Sequence, residues 1–206
     1  MKTITSSRLD VCGGFDGSTS SDWTGIRLET LDGFQFTPRY GPDRRPTVWD
    51  PAKWGGRIPR GEVHAAMDEI FRVYRVERMY CDPRDWHTEI EVEWSNAYGD
   101  EHVIVWDTGR GSSRVPQVHD MLERFVTDLT TGTLTHDDCP FTAEHVANAR
   151  KIARPGDRYI LAKPAGAEEQ KIDMAMCSAL AHEAACDARA AGWKPEPPRG
   201  RVIVRR

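Results

Sequence analysis

Val63, Ala66, Met67, Ile70, Phe71 and Tyr74 fall at i, i+3, i+4, i+7, i+8 and i+11. That spacing gathers six apolar side chains on one face of a helix over 62–74. Val76 to Cys81 follows at once as a strand and stops at Asp82-Pro83. An amphipathic helix running straight into a strand has one economical solution, which is to bury its stripe on the sheet the strand joins.

The flanking segments fit that sheet. Leu9 to Phe15 reads as a strand closing in Gly13-Gly14 before Asp16, and Trp23 to Thr30 alternates with Thr24, Ile26 and Leu28 on one face. Asp32-Gly33 signals a two-residue hairpin into Phe34-Gln35-Phe36. Residues 37–60 carry five prolines and read as a surface loop pinned by Trp49 and Trp54. The stretch 84–97 suits either element, and Pro83 as a first helical residue favours helix. A short strand over His102–Trp106, a helix over Val115–Leu129 closed by Gly132, a helix over Phe141–Ile152, a strand over Arg158–Lys163 and a helix over Ile172–Ala191 complete the chain. Strands first, then alternating helix and strand, describe an α/β fold: a mixed sheet with antiparallel first strands and helices on both faces.

The 206 residues suffice for one domain, expected over 1–193, with a basic, flexible tail over 194–206. No apolar run approaches the ~20 residues of a membrane span, and no secretory signal opens the chain, so a cytoplasmic location with no membrane partner is expected. Five cysteines without a Cys-x-x-Cys pair, and seven scattered histidines, fit reduced thiols better than disulfides or structural zinc. A net charge of -4 argues against strong autonomous nucleic-acid binding but not against a site built from carboxylates.

Three such carboxylates stand where an element meets a turn or cap. Asp16, in Gly14-Phe15-Asp16-Gly17-Ser18, is a turn residue or a metal ligand at a strand end. Asp82 is the N-cap of a helix beginning at Pro83, a ligand, or both. Asp173 shares a helix face with Met176, Cys177, Leu180 and Ala184, so its carboxylate is buried unless capping, paired or metal-bound. Read together, the three meet in space and hold two divalent ions, Mg²⁺ or Mn²⁺, since hard cations take oxygen ligands and a shared carboxylate can bridge a pair. Asp85, Lys163 and Ser18 are accessory candidates, Lys163 as a phosphate contact. Glu62, Asp68 and Glu69 fall off the apolar stripe and offer no fourth ligand, and His182, about 180° round its helix from Asp173, points away from the site.

Gly-Phe-Asp-Gly-Ser (14–18), Tyr-Cys-Asp-Pro (80–83) with Trp86, His145-Val146-x-Asn148-Ala149, Lys163 and Lys-Ile-Asp (171–173) running to Ala-Gly-Trp (191–193) together resemble the nuclease domain of a tailed-phage large terminase subunit, over roughly residues 9–193. The resemblance implies a ribonuclease-H-like fold and a metal-dependent endonuclease of low sequence specificity that cuts concatemeric double-stranded phage DNA during packaging. It implies metal ligation by Asp16, Asp82 and Asp173. It also implies an ATPase motor domain, a small terminase subunit and a portal as partners, in the host cytoplasm. The phosphate-binding loop of the motor is not in this sequence, so a separated nuclease domain is expected. Two rival readings stand beside it. Phe15-Asp16-Gly17-Ser18-Thr19-Ser20 also resembles the phosphate-binding hairpin of actin-like and sugar-kinase ATPases, and a non-catalytic DNA- or portal-docking module would use the aspartates only as caps.

Overall fold

The sheet grows outward from the first strand. The computed structural model describes residues 8–109, 111, 113–167 and 169–194, so nearly all of the expected basic tail lies outside the described residues. β1 (Asp10–Asp16) pairs antiparallel with β2 (Thr24–Thr30), and β2 with β3 (Phe34–Phe36). The register, with Glu29 opposite Gln35, leaves a three-residue loop, Leu31-Asp32-Gly33, in place of the expected two-residue hairpin, and Gly33 closes it at a left-handed φ of 82°. The expected loop holds three two-residue strands, β4 (Arg39–Tyr40), β5 (Arg45–Pro46) and β6 (Val48–Trp49), of which β6 joins the main sheet against the start of β2. Trp49 is buried there as expected. Trp54 instead lies at the surface with Arg45 over its ring, so it does not pin the loop.

The helix α1 (Arg60–Val73) leads into β7 (Arg75–Cys81), which runs parallel to β1 and carries the parallel edge strand β8 (Val103–Val105). Between them, residues 87–98 are helical as expected, ending in α2 (Ser95–Tyr98), but 89–94 form a π-helical turn that sequence periodicity does not disclose. The remaining elements are α3 (Val115–Thr131), β9 (Thr135–His136), α4 (Pro140–Asn148), β10 (Arg150–Arg154), β11 (Arg158–Ala162) and α5 (Asp173–Ala190). The helix expected over Phe141–Ile152 is thus wrong at its end. Arg150–Arg154 turns into an antiparallel hairpin with β11, because Pro155-Gly156 makes a tight turn and the side chains of 150–153 stay exposed, leaving no buried stripe to sustain a helix.

The main sheet runs β8-β7-β1-β2-β3-β9. Val11 and Phe15 on β1 and Ile26 and Leu28 on β2 point to α1 and the 86–94 tryptophans, while Cys12 and Tyr80 point to the opposite face, covered by α3 and α5. The expected mixed sheet with helices on both faces is what forms.

α5 is buried along most of its length and lies unusually close to the sheet. Alanines at 175, 179, 181, 184, 185 and 188 keep it slim. A Cβ on Gly14 would sit 2.2 Å from the Cys177 carbonyl oxygen and 2.4 Å from the Ala181 nitrogen. Backbone at that range cannot yield as a side-chain tip can, so α5 must lift off β1 if Gly14 gains a side chain. Gly14→Ala is therefore expected to cost ~3 kcal/mol, the upper end for overpacking, read as a lowered urea midpoint.

Candidate metal centre

β1 and β7 are parallel neighbours with Phe15 opposite Cys81, so the next residue of each strand, Asp16 and Asp82, emerges at the same sheet end. The Asp82 amide donates to the Phe15 carbonyl at 3.0 Å, fixing that juxtaposition. Asp173 comes from the other direction. Asp16 pairs across the ladder with Gly25, and a Cβ on Gly25 would lie 2.3 Å from Met174 Sδ. The first turn of α5 therefore rests on Asp16's cross-strand partner. The three aspartates that sequence reasoning singled out line one cleft of about 970 Å³.

Supporting contacts hold each loop. Trp86, fully buried and edge-on to Phe15, donates from Nε1 to the Ser18 carbonyl at 3.2 Å, tying the turn after β1 to the segment after β7. Asp82 accepts the Arg84 amide at 3.2 Å and the Thr108 hydroxyl; the chain becomes helical only at residue 87, so Asp82 caps a turn and not the expected helix beginning at Pro83. Asp173 is the first residue of α5, not its N-cap, and accepts the Trp23 amide at 3.4 Å. The start of α5 is held instead by α4. His145 Nδ1 accepts the Met174 amide at 3.0 Å, and Asn148 Nδ2 donates to the Lys171 carbonyl at 3.1 Å. Burial, with Lys171 and Lys163 nearby, pushes His145 down to about 4, so it stays neutral and able to accept. His145→Ala leaves that amide without its acceptor, and a stability loss of ~1–3 kcal/mol by thermal or urea unfolding is expected.

The electrostatics of the cleft are unfavourable as they stand. Withdrawal from water, then the Asp173 and Asp82 carboxylates, push Asp16 well above the usual carboxylate range, with Arg84 working the other way. Burial raises Asp82, with Asp107 adding to it against the Thr108 and Arg84 hydrogen bonds. Burial, and then Asp22, push Asp173 up to about 6. Asp82 and Asp173 are only 6% and 7% exposed. Converging, largely desolvated carboxylates that raise one another are the donor set a divalent cation neutralises, so the residues fit such ions.

The accessory candidates divide. Lys163 lines the cleft but is paired with Asp22, which also accepts Lys171 Nζ at 3.0 Å. Although burial opposes it, these two ammonium groups hold Asp22 below its ordinary range. Ser18 lines the cleft, yet its Oγ accepts the Asp22 amide at 3.2 Å and shapes the loop. Asp85 turns away from the cleft to accept the Thr19 amide at 3.0 Å. Glu62, Asp68 and Glu69 are engaged by Tyr40, Tyr98 and the Gly41 amide and do not line the cleft. The further carboxylates lining the cleft are Asp22, Glu91 and Asp107, which sequence reasoning missed; Glu91 stands 3.2 Å from His87 Nδ1. Asp22 sits in a Ser-rich loop and Asp107 beyond a short strand, so neither carries a periodic or capping signal. His182, as expected, is not among the cleft residues.

The phosphate-loop alternative needs free backbone amides after Asp16. Those of Ser18, Thr19 and Asp22 are already spent on Thr24 Oγ1, Asp85 and Ser18 Oγ.

No protein-family model matches this sequence. Over 185 residues, 84% of the chain, it is 29% identical to the Gene 13 proteins of Mycobacterium phages L5 and D29, and it spans 29% of the length of each. It superposes on the large terminase of bacteriophage HK97 with a TM-score of 0.60 at 15% identity, covering 86% of this chain and 40% of that one. Against the large terminase nuclease of thermophilic phage G20c with bound magnesium the TM-score is 0.57 at 15% identity, over 85% and 81% of the two chains. The cobalt-bound form of that nuclease matches at 0.54, also at 15% identity and over 85% and 81% of the two chains. The chain has the fold of a large terminase nuclease domain.

Proposed function

We propose that this chain is a metal-dependent endonuclease that cuts concatemeric double-stranded phage DNA during genome packaging. The observation carrying the reading is the convergence of Asp16, Asp82 and Asp173, from two strand ends and a helix start, in one cleft whose electrostatics call for cations. Likeness in fold to a nuclease with bound magnesium or cobalt supports it. In this reading the three aspartates would hold two divalent ions, Mg²⁺ or Mn²⁺. When bound, the ions activate water and neutralise charge on the leaving oxygen. The chain itself contributes orientation. Thr108 and the Arg84 amide fix Asp82, the Trp23 amide fixes Asp173, and Arg84 and Lys163 at the cleft wall offer positive charge to the phosphate backbone.

The reading takes residues 1–193 as the nuclease domain and 194–206 as a basic tail. It places the domain in the host cytoplasm beside an ATPase motor, a small terminase subunit and a portal; the much greater length of the phage L5 and D29 relatives leaves room for a motor domain there. With a net charge of -4, the domain depends on such partners to hold DNA. Among the described residues no helix is long and apolar enough to cross a membrane. The test is incubation with supercoiled plasmid and Mg²⁺ or Mn²⁺. Nicked and linear products that vanish with chelator support the reading, and intact plasmid with every metal at high protein concentration overturns it.

A further inference from the structure

On the face of the sheet covered by α5, a second group of ligand-type side chains lies apart from the cleft. His182 is nine residues along α5 from Asp173, roughly 13 Å at 1.5 Å per residue. Its side chain is 2% exposed, and both ring nitrogens are engaged. Nδ1 lies 3.0 Å from Glu29 Oε2, and Glu29 is fully buried on β2, held by Arg189 Nη2 and Gln35 Nε2 at 2.9 Å each. Nε2 faces Asp128 Oδ2 of α3 at 3.0 Å and Cys186 Sγ at 3.5 Å. His182 and Cys186 stand four apart on one helix face, and the donor atoms of Asp128, His182 and Cys186 all lie within 4.8 Å of one another.

We propose that Asp128, His182 and Cys186 form a binding site for a borderline-soft divalent cation, Zn²⁺ or Co²⁺, which clips α3 to α5. Imidazole, thiolate and one carboxylate favour such an ion over Mg²⁺ or Mn²⁺. Tetrahedral zinc distances set N···S near ~3.6 Å and N···O near ~3.4 Å, so the cysteine is already placed and Asp128 moves outward by a few tenths of an ångström. Glu29 accepting from Nδ1 is the outer carboxylate that fixes the ring and directs Nε2 at the ion. Arg189 Nη2, 3.4 Å from Sγ, supports the thiolate. Asp128 and Cys186 are partly exposed, which gives the ion a path from solvent, and the three ligands leave a fourth position for water. In the ion-free molecule a proton on Nε2 bridges to Asp128. Binding releases it together with the thiol proton. The site was invisible in sequence because its third member is 54 residues from His182.

The proposal is independent of the nuclease reading and is tested on the full chain, kept reduced, by titration with Co²⁺. Only a cysteine ligand produces a near-ultraviolet thiolate-to-cobalt charge-transfer band, so ions at the aspartate cleft do not contribute. The band is expected to saturate at one equivalent and to be displaced by Zn²⁺. It should disappear in Cys186→Ser, persist in Cys139→Ser, and need at least about tenfold more cobalt in Asp128→Asn. With the aspartate cleft saturated by Mg²⁺, zinc should raise the melting temperature of the wild type by more than that of Cys186→Ser. Absence of the band in folded wild-type protein, or its survival in Cys186→Ser, overturns the site. Should Cys186→Ser fail to fold, an unshifted titration in Asp128→Asn does the same.

Discussion

Asp16→Asn, Asp82→Asn and Asp173→Asn each abolish metal-dependent plasmid cleavage, with a loss of at least roughly a thousandfold, corresponding to ~4 kcal/mol of transition-state stabilisation. Asparagine keeps the size of the side chain and one oxygen, so the fold survives while a charge that holds the ions is gone. The three losses do not add, because the carboxylates act as one ligand set. Asp85→Asn, whose side chain serves the Thr19 amide outside the cleft, retains cleavage. A docking module whose aspartates serve as caps predicts the opposite pattern: no metal-dependent cleavage at all, and substitutions that matter only through stability.

The same substitutions make the metal-free protein more stable. A carboxyl whose pKa is higher in the folded than in the unfolded chain keeps its proton on folding. Its contribution favours the fold at low pH and is lost as pH rises through the folded value. Asp173 is pushed from 3.8 to about 6, and Asp16 and Asp82 move in the same direction. Above pH 6 the ionised Asp173 alone costs ~3 kcal/mol. For a chain of this size that is roughly 5–10 °C in Tm. That cost builds up as pH rises from 3.8 through about 6 and is complete at neutral pH, so in chelator Asp173→Asn should melt higher than the wild type at pH 7 and lose that advantage near pH 4. Mg²⁺ or Mn²⁺ should restore the wild type and leave the variant unmoved. The comparison is made between the two proteins at each pH, because in both of them His145, held down to about 4, loses stability as pH falls from 6.5, and His182, raised to about 10, loses it as pH rises past 6.5. Equal melting temperatures for the wild type and Asp173→Asn in chelator at pH 7 contradict this electrostatic picture.

Much of this arrangement was legible because the responsible residues act locally. The α1 stripe, the Asp32-Gly33 hairpin and the strand leading to Asp16 each carry their own periodic or turn signal. Asp173 was legible because a carboxylate on a buried helix face has few explanations. What sequence did not disclose depends on distant partners. The Arg150–Arg154 strand exists only through its pairing with β11. Asp22 and Asp107 enter the cleft because loops happen to fold over it. His182 was set aside correctly with respect to Asp173, but its pairing with Glu29 and Asp128 depends on β2 and α3 converging on α5. The need for glycine at 14 likewise depends on a distant partner, the backbone of α5 at Cys177 and Ala181.

The central claim is that Asp16, Asp82 and Asp173 jointly hold divalent ions. The most direct measurement is a crystal of the protein soaked in Mn²⁺, with the ions located by their anomalous scattering. The account predicts two peaks in the cleft, each within bonding distance of carboxylate oxygens from at least two of the three aspartates. A cleft without manganese under saturating soak, or manganese held only by other residues, would contradict it.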